Sequence, residues 1–292
     1  MRKKFTGTGI AIVTPFDGNG NIDWKSFENL VEYWIKGKVE YLVVLGTTGE
    51  SATIHGKEKQ EVFSFIQKQV NGRLPIVAGI GGNDTREVIS AFKQFDLKGY
   101  DAILSVSPYY NKPNQEGLYQ HYKALDEAAP LPIIMYNVPG RTGMSVTAET
   151  QLRIAHDCKN IFATKEASGN FDLINQILKN KPAEFMVISG DDPITLQMIS
   201  AGAEGLISVV ANAYPEYSEM VRLALNGDFK GAAVLHNKYL DIIASMFAEG
   251  SPSGVKAYLA EMGLCQNTFR LPVYRVSEKH QQRIWHLMKD LA

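Results

Sequence analysis

Residues 24–72 read WKSFENLVEYWIKGKVEYLVVLGTTGESATIHGKEKQEVFSFIQKQVNG. Their pattern of apolar residues predicts a strand between two helices. The central run, EYLVVLGTTGE (40–50), is short and apolar, as expected for a strand that is buried on both faces of a parallel sheet. The flanking segments, 24–37 and 57–72, carry apolar residues at the three-and-four spacing of an amphipathic helix. This alternation of helix, buried strand and helix indicates the fold class.

The same pattern recurs along most of the chain. Eight apolar runs occur in order: GIAIVTPF, EYLVVLGTTGE, LPIVAGIGG, YDAILSVSPYY, LPIIMYNVPG, NIFATKEASG, EFMVISGDD and GLISVVAN. Strict alternation of strand and helix implies right-handed crossovers and a parallel sheet. Eight units in roughly 225 residues predict an α/β fold of the (β/α)8 TIM barrel type. A doubly wound Rossmann fold is the alternative, but GIGGND (79–84) lacks its full glycine spacing.

The chain beyond the eighth unit has a different pattern. Three helix-like segments follow without a strand run: FKGAAVLHNKYLDIIASMFAEG, SGVKAYLAEMGL and SEKHQQRIWHLMKDLA. We therefore predict a catalytic barrel over residues 1–225 and a C-terminal helical extension over residues 226–292.

Composition favours a small-molecule partner. Thirty Lys and Arg residues balance thirty-one Asp and Glu residues, and no block of like charge would bind a nucleic acid or a membrane surface. The chain shows no convincing signal peptide, and its cysteines, Cys158 and Cys265, are far apart. We expect a cytoplasmic protein with reduced thiols. The six histidines have no ligand spacing, so we expect no metal site.

Reactive side chains cluster at the ends of the predicted strands, where a (β/α)8 enzyme has its active site. Four strands would bring to one mouth Thr47, Thr48, Tyr109, Tyr110, Tyr136, Arg141 and Lys165. Lys165 is the strongest candidate, because an amine attacks a carbonyl only when it is unprotonated and an apolar site lowers its pKa. The alternative is a strand-end lysine that reaches water or pairs with Glu166.

The other members of the cluster also have structural alternatives. Tyr136 is placed to relay protons for a Schiff base, or it is an amphipathic core aromatic. Thr47 and Thr48 could cap the following helix, and Arg141 either grips a carboxylate or is a solvated loop residue. The acidic pair in SGDD (189–192) invites a metal interpretation, but such a pair before a proline more often begins a helix.

Several motifs together resemble the dihydrodipicolinate synthase family. They are GTTGES, PYYNKPNQEGLYQHY, YNVPGRTG, KEASGN, SGDD and GLISV, in the family's order and from the first strand to the C-terminal helices. The resemblance implies a class I lyase of diaminopimelate and lysine biosynthesis that condenses pyruvate with L-aspartate 4-semialdehyde to 4-hydroxy-tetrahydrodipicolinate. It also implies that no cofactor is needed, since pyruvate binds covalently as a Schiff base.

The resemblance also implies roles for individual residues. Lys165 matches the Schiff-base lysine, and Tyr136 matches the proton donor and acceptor, with Thr47 and Tyr110 completing its relay. In the family the residue matching Tyr110 comes from a neighbouring subunit, which implies a tight dimer as the catalytic unit, usually within a homotetramer. The matched substrate-binding residues are Thr48, Gly190 and Ile207 for the pyruvate-derived moiety and Arg141 for the semialdehyde carboxylate.

Two rival functions remain at this stage. N-acetylneuraminate lyases and other pyruvate-dependent aldolases share the lysine and the tyrosine, but the lyases usually lack the arginine that Arg141 matches. A barrel that has kept the fold and lost the reaction would be a ligand-binding protein.

The chain departs from the family pattern at three positions. Gly254 stands where a second proline is expected, and we expect it to affect packing of the extension. Thr164 replaces an apolar residue before the lysine and could tune the pocket. Lys59 stands where lysine-inhibited members have a histidine or a glutamate, so we expect weak or absent feedback inhibition by L-lysine.

Overall fold

The computed structural model of the protein describes residues 1–291 of the 292 in the chain, and eight parallel strands close into a barrel in sequence order. The predicted (β/α)8 fold is therefore confirmed. The strands are β1 Gly7–Ala11, β2 Tyr41–Val44, β3 Ile76–Gly79, β4 Ala102–Val106, β5 Ile133–Asn137, β6 Ile161–Glu166, β7 Met186–Ser189 and β8 Gly205–Ser208.

Helices follow each strand, and further helices precede β1 and follow the barrel. They are α1 Arg2–Phe5, α2 Trp24–Lys36, α3 Gly56–Val70, α4 Thr85–Gln94, α5 Gln115–Ala128, α6 Pro139–Thr142, α7 Ala148–Asp157, α8 Phe171–Asn180, α9 Thr195–Ser200, α10 Ser218–Leu225, α11 Phe229–Ala248, α12 Ser253–Glu261 and α13 Glu278–Leu291. Short 3-10 turns cover Ser51–Thr53, Asp192–Ile194, Val210–Asn212 and Pro215–Tyr217. Within residues 1–291, no helix combines the length and the apolar character that a membrane crossing requires.

Side-chain caps fix where many of these helices begin. In each case an Asp, Asn or Thr side chain accepts a hydrogen bond from a backbone N–H of the first turn, which satisfies one otherwise unpaired donor. The capping residues are Asp23, Asp84, Asn114, Thr147, Asn170 and Asp228, at the starts of α2, α4, α5, α7, α8 and α11. Each cap stabilises its helix by about 1 kcal/mol.

The barrel closes where the first strand meets the last. Strand β1 pairs with β8 from Gly7 opposite Gly205 to Ile10 opposite Ser208. Beyond this ladder the buried side chain of Asn212 accepts from the N–H of Val13. Its amide group donates to backbone carbonyls on both sides of the junction. This amide therefore continues the seam at the mouth, where the ladder has ended.

The strands separate two cores. Alternate residues point into the barrel or outward against the helices, because successive side chains of a strand face opposite ways. The interior cluster includes Tyr41, Ile134 and Tyr136, while a larger cluster fills the space between strands and helices. At the opposite end from the mouth, Phe5 packs edge-on against Tyr41 and beside Phe162.

Within the extension, helices α11 and α12 pack through a close backbone contact. At Gly254 in α12, an added Cβ would lie 2.1 Å from the carbonyl oxygen of Met246 in α11. Only a residue without a side chain fits there, which explains the departure from the family pattern at this position. Its effect is on packing of the extension, as expected.

Candidate active site

Lys165 points into the mouth of the barrel from the end of β6. Its neighbours in register are Tyr136 on β5 and Ile188 on β7. The residue is 5% exposed. Its Nζ lies 4.2 Å from the centre of the Tyr136 ring. Lys165 therefore does not reach bulk water.

Burial lowers the pKa of Lys165 to about 8. Asp192 and Asp191 raise the pKa of this amine again, while the positive charge of Arg141 lowers it further. The net result is an amine that is partly unprotonated near neutral pH, which is the state that attacks a carbonyl.

Tyr136 is the buried phenol beside this amine. It is 6% exposed, and burial raises the pKa of its phenol to about 12. The group therefore keeps its proton at neutral pH. A phenol in this state both donates and accepts a hydrogen bond, so it is able to pass protons to and from a carbonyl oxygen bound at Lys165.

A cavity of about 340 Å³ opens beside the two side chains. Six of the eight site residues predicted from the sequence line it: Thr47, Thr48, Tyr136, Arg141, Lys165 and Gly190. The other two do not. Ile207 is fully buried in the interior cluster of the barrel, and Tyr110 is 89% exposed on the loop after β4.

Sequence reasoning missed two lining residues that come from outside the barrel. Phe247 at the end of α11 and Ser251 before α12 both border the cavity. The backbone carbonyl of Ser251 accepts a hydrogen bond of 3.3 Å from Nη2 of Arg141. Neither residue stands at a strand end, so no pattern in the sequence distinguished them from the rest of the extension.

Gly190 lies against the stem of Lys165. An added Cβ at this position would lie 2.8 Å from Cε of Lys165 and 2.9 Å from Cβ of Ala167. Real side chains do not approach so closely, so any larger residue would displace the lysine. The absence of a side chain at Gly190 therefore leaves the space in which the amine sits.

The residues on either side of Lys165 face away from the cavity. Thr164 donates from its hydroxyl to Gln151 on α7, so the expectation that it tunes the pocket is wrong. Glu166 likewise accepts hydrogen bonds from Gln151, from Asn137 at the end of β5 and from the N–H of Ser168. These contacts occupy the Glu166 carboxylate, so it does not pair with Lys165.

The network around Glu166 also supports the loop that carries Arg141. The side-chain oxygen Oδ1 of Asn137 accepts from the N–H of Val146, and the side chain of Gln151 donates to the backbone carbonyl of Val146. The chain from β5 to α7 is thereby tied to the outward face of β6. A buried carboxylate that is fully hydrogen-bonded thus holds the strand ends of Tyr136 and Lys165 in register.

The acidic pair after β7 begins a 3-10 turn at Asp192, as its sequence favoured. Asp192 is buried, and its carboxylate accepts hydrogen bonds from the hydroxyl of Ser208 and from the N–H of Val209. Burial raises the pKa of this carboxylate to about 6. Among the described residues, no group of three or more histidine, cysteine or acidic side chains is arranged to hold a metal ion.

A second cavity of about 350 Å³ lies next to the first. Both are bordered by Gly46, Thr47 and Tyr136. The second is also lined by Lys59, which is half-buried, and burial lowers the pKa of this lysine. Glu87 borders the same cavity.

The fold and the site define a (β/α)8 barrel with a buried amine of lowered pKa beside a phenol at its mouth. Residues 4–291 match the model of the dihydrodipicolinate synthetase family, so the chain belongs to this family, as its motifs predicted.

Two curated relatives have names that agree with this assignment. The chain is 50% identical to the 4-hydroxy-tetrahydrodipicolinate synthase of Phocaeicola vulgatus, over 94% of this chain and 92% of the relative. It is 48% identical to the synthase of Parabacteroides distasonis, over 98% and 97%. Among solved structures, the chloride-inhibited dihydrodipicolinate synthase of Acinetobacter baumannii complexed with pyruvate matches with a TM-score of 0.95, 41% identity and 98% coverage of both chains.

Replacing Gly190 by alanine is expected to slow formation of an amine adduct with an α-keto acid by at least about tenfold, because the added methyl displaces Lys165 from its working position. The measurement is the rate of borohydride-trapped adduct formation with pyruvate. Gly140→Ala is the matched control, since Gly140 lines the same cavity and its Cβ would meet no atom within 4 Å. Equal rates in the two variants would contradict the prediction.

The adduct-forming rate is expected to rise with pH through a midpoint near the pKa of Lys165. With a pKa of about 8, about one amine in ten is unprotonated at pH 7 and about nine in ten at pH 9. Asp191→Asn removes a negative charge that favours the ammonium, so the midpoint should move to lower pH. A midpoint above pH 10, as for an exposed lysine, is the result that would reject this account.

Proposed function

We propose that this protein is a Schiff-base lyase that condenses pyruvate with L-aspartate 4-semialdehyde to 4-hydroxy-tetrahydrodipicolinate, in the diaminopimelate and lysine pathway. The observation that carries the proposal is the buried amine of Lys165 beside the phenol of Tyr136. The synthase names of the full-length relatives support the choice of substrates. The N-acetylneuraminate lyase alternative is not favoured.

In the proposed reaction, the unprotonated amine of Lys165 attacks the ketone carbon of pyruvate. The resulting carbinolamine loses water to give a protonated imine, and loss of a methyl proton gives the enamine. The enamine carbon then attacks the aldehyde carbon of the semialdehyde, whose oxygen takes up a proton. The amino group of the semialdehyde finally attacks the imine carbon, which closes the ring and releases Lys165.

Tyr136 is the proposed proton donor and acceptor for these steps, together with Thr47 and with Tyr110 of a neighbouring subunit. Tyr110 is 89% exposed within its own chain and adopts a positive φ of 71°, on a loop where Tyr109 is also exposed. Two exposed aromatic rings on one loop are typical of a contact surface. This supports a tight dimer as the catalytic unit, and we propose a homotetramer of two such dimers.

Substrate binding is assigned to residues around the amine. Arg141 is exposed, and within the described residues its guanidinium makes one hydrogen bond, so donors remain for a carboxylate of the semialdehyde. Thr48 and Gly190, which line the cavity, are proposed to contact the pyruvate-derived moiety, while the same role for Ile207, which lies inside the barrel and off the cavity wall, stays a prediction from the resemblance. The imine itself holds and activates pyruvate, so we propose a reaction that needs no cofactor and no metal, in a cytoplasmic enzyme.

The proposed function is tested by turnover of pyruvate with L-aspartate 4-semialdehyde, compared with cleavage of N-acetylneuraminate. We expect turnover of the semialdehyde only, because Arg141 supplies a carboxylate contact. Arg141→Gln should raise KM for the semialdehyde by about tenfold or more while pyruvate trapping is retained. Preference for the sugar acid would transfer the protein to the aldolase branch, and the lack of any adduct with pyruvate would end the proposal.

We also propose that L-lysine inhibits this enzyme weakly. Lys59 lines the second cavity, where its ammonium would face a cationic effector. Lys59→Glu reverses this charge, so it should lower the inhibition constant for L-lysine by about tenfold or more relative to the unchanged protein. A submillimolar inhibition constant for the unchanged protein would refute the proposal.

A further inference from the structure

One ion pair that is closed off from solvent joins the C-terminal extension to the loop after β2. Nζ of Lys256 in α12 lies 2.7 Å from Oε1 of Glu50, and both side chains are 0% exposed. The ammonium also lies over the rings of Phe16 and Phe269, at 4.4 and 4.6 Å from their centres. These aromatic faces keep water away from the pair.

The loop that receives this pair is the one that carries Thr47 and Thr48. It begins at Leu45 and ends at Glu50, and both residues have a positive φ, 57° and 54°. Side chains other than glycine rarely adopt this backbone conformation, so it persists only where surrounding contacts enforce it. Both ends of the threonine loop are therefore held in place by contacts from outside the loop.

Lys256 supplies contacts of this kind at the Glu50 end of the loop, through two groups. Besides Glu50, its ammonium donates to the backbone carbonyl of Thr14 at 3.0 Å. The hydroxyl of Thr14 in turn donates to the carbonyl of Gly49 at 2.8 Å. One ammonium thus fixes the carboxylate at the end of the loop and also the residue that holds Gly49 next to it.

The energetics of burial indicate that this ion pair positions the loop more than it stabilises the fold. A buried ion pair is often no more stabilising than apolar residues of the same volume, because both charges lose their hydration. Its directional hydrogen bonds nevertheless specify one geometry. The feature that this geometry determines is the path of the loop from Leu45 to Glu50.

We propose that Lys256, acting through Glu50 and Thr14, is a positioning residue that places Thr47 and Thr48 against the cavity. The extension is then part of the catalytic apparatus, although its lysine does not border the cavity. This inference rests on the proposed function, because Thr47 matters to the rate only if it takes part in proton relay at Lys165.

The test compares the unchanged protein with Lys256→Met, Glu50→Gln and the double variant, in which no buried charge is left unpaired. Borohydride trapping with pyruvate counts the chains whose Lys165 is competent, and kcat is then expressed per trapped site. We expect the double variant to retain trapping while kcat per trapped site falls by about 30-fold, with KM for pyruvate changed by less than about threefold. Because the pair acts as a unit, each single variant that folds should show the same fall as the double variant.

Two further variants keep the result interpretable. Thr14→Val removes the hydroxyl donor to Gly49 without touching a charge, and it should lower kcat per trapped site by about fivefold. Lys181→Met is the control, because Lys181 pairs with Glu204 at the opposite end of the barrel. This control should leave kcat per trapped site unchanged.

A kcat per trapped site within about twofold of the unchanged protein, in both the double variant and Thr14→Val, would overturn the inference. A merely structural role for Lys256 would lower the trapped fraction without changing kcat per trapped site. If instead the unchanged protein trapped pyruvate but did not turn over the semialdehyde, the proposed function would fail, and this inference would fail with it for that separate reason.

Discussion

The removal of one amine from water is the constraint around which the mouth of this barrel is arranged. Lowering the pKa of Lys165 from 10.5 to about 8 corresponds to about 3 kcal/mol of unfavourable free energy for its charged form. This destabilisation of the folded state is present in full below pH 8, where Lys165 is protonated in both the folded and the unfolded state. It decreases as the pH rises from 8 to 10.5 and is absent at higher pH, where Lys165 is unprotonated in both states. The same desolvation keeps part of the Lys165 amine unprotonated, and therefore reactive, near neutral pH.

The rest of the site follows from that constraint. Strands β5 and β6 place a buried phenol and the amine side by side, and Gly190 leaves room for the lysine stem. The negative charges of Asp192 and Asp191 limit the decrease in the pKa of Lys165, so that this pKa stays close to neutral pH. The carboxylate of Glu166, which might have neutralised the amine, is turned outward and occupied by Asn137 and Gln151.

The sequence was sufficient for the barrel because eight apolar runs alternate with amphipathic segments, and this periodicity has few solutions. It also located Lys165 and Tyr136, since strand ends meet at one mouth in any such barrel. The direction of Thr164 was misjudged, although the two-residue period of a strand already places it on the face opposite Lys165. Phe247, Ser251 and Lys256 were beyond prediction as site residues, because they belong to a segment of helical pattern whose docking on the barrel depends on tertiary contacts.

The C-terminal extension therefore forms part of the site. Phe247 and Ser251 border the cavity, and Lys256 ties α12 to the loops after β1 and β2. Gly254 lets the backbones of α11 and α12 lie in direct contact, which determines how α12 packs within the extension. The threonine loop is consequently supported by the loop after β1 and by α12, which come from opposite ends of the chain.

The central claim is that Lys165 is the nucleophile, and the most direct measurement is peptide mapping of the protein after borohydride reduction with pyruvate. The account predicts a single adduct per chain, in the peptide that contains Lys165, and no adduct on Lys256, which is also buried. It also predicts that Lys165→Met carries no adduct. An adduct on another lysine, or one that persists in Lys165→Met, would contradict the account.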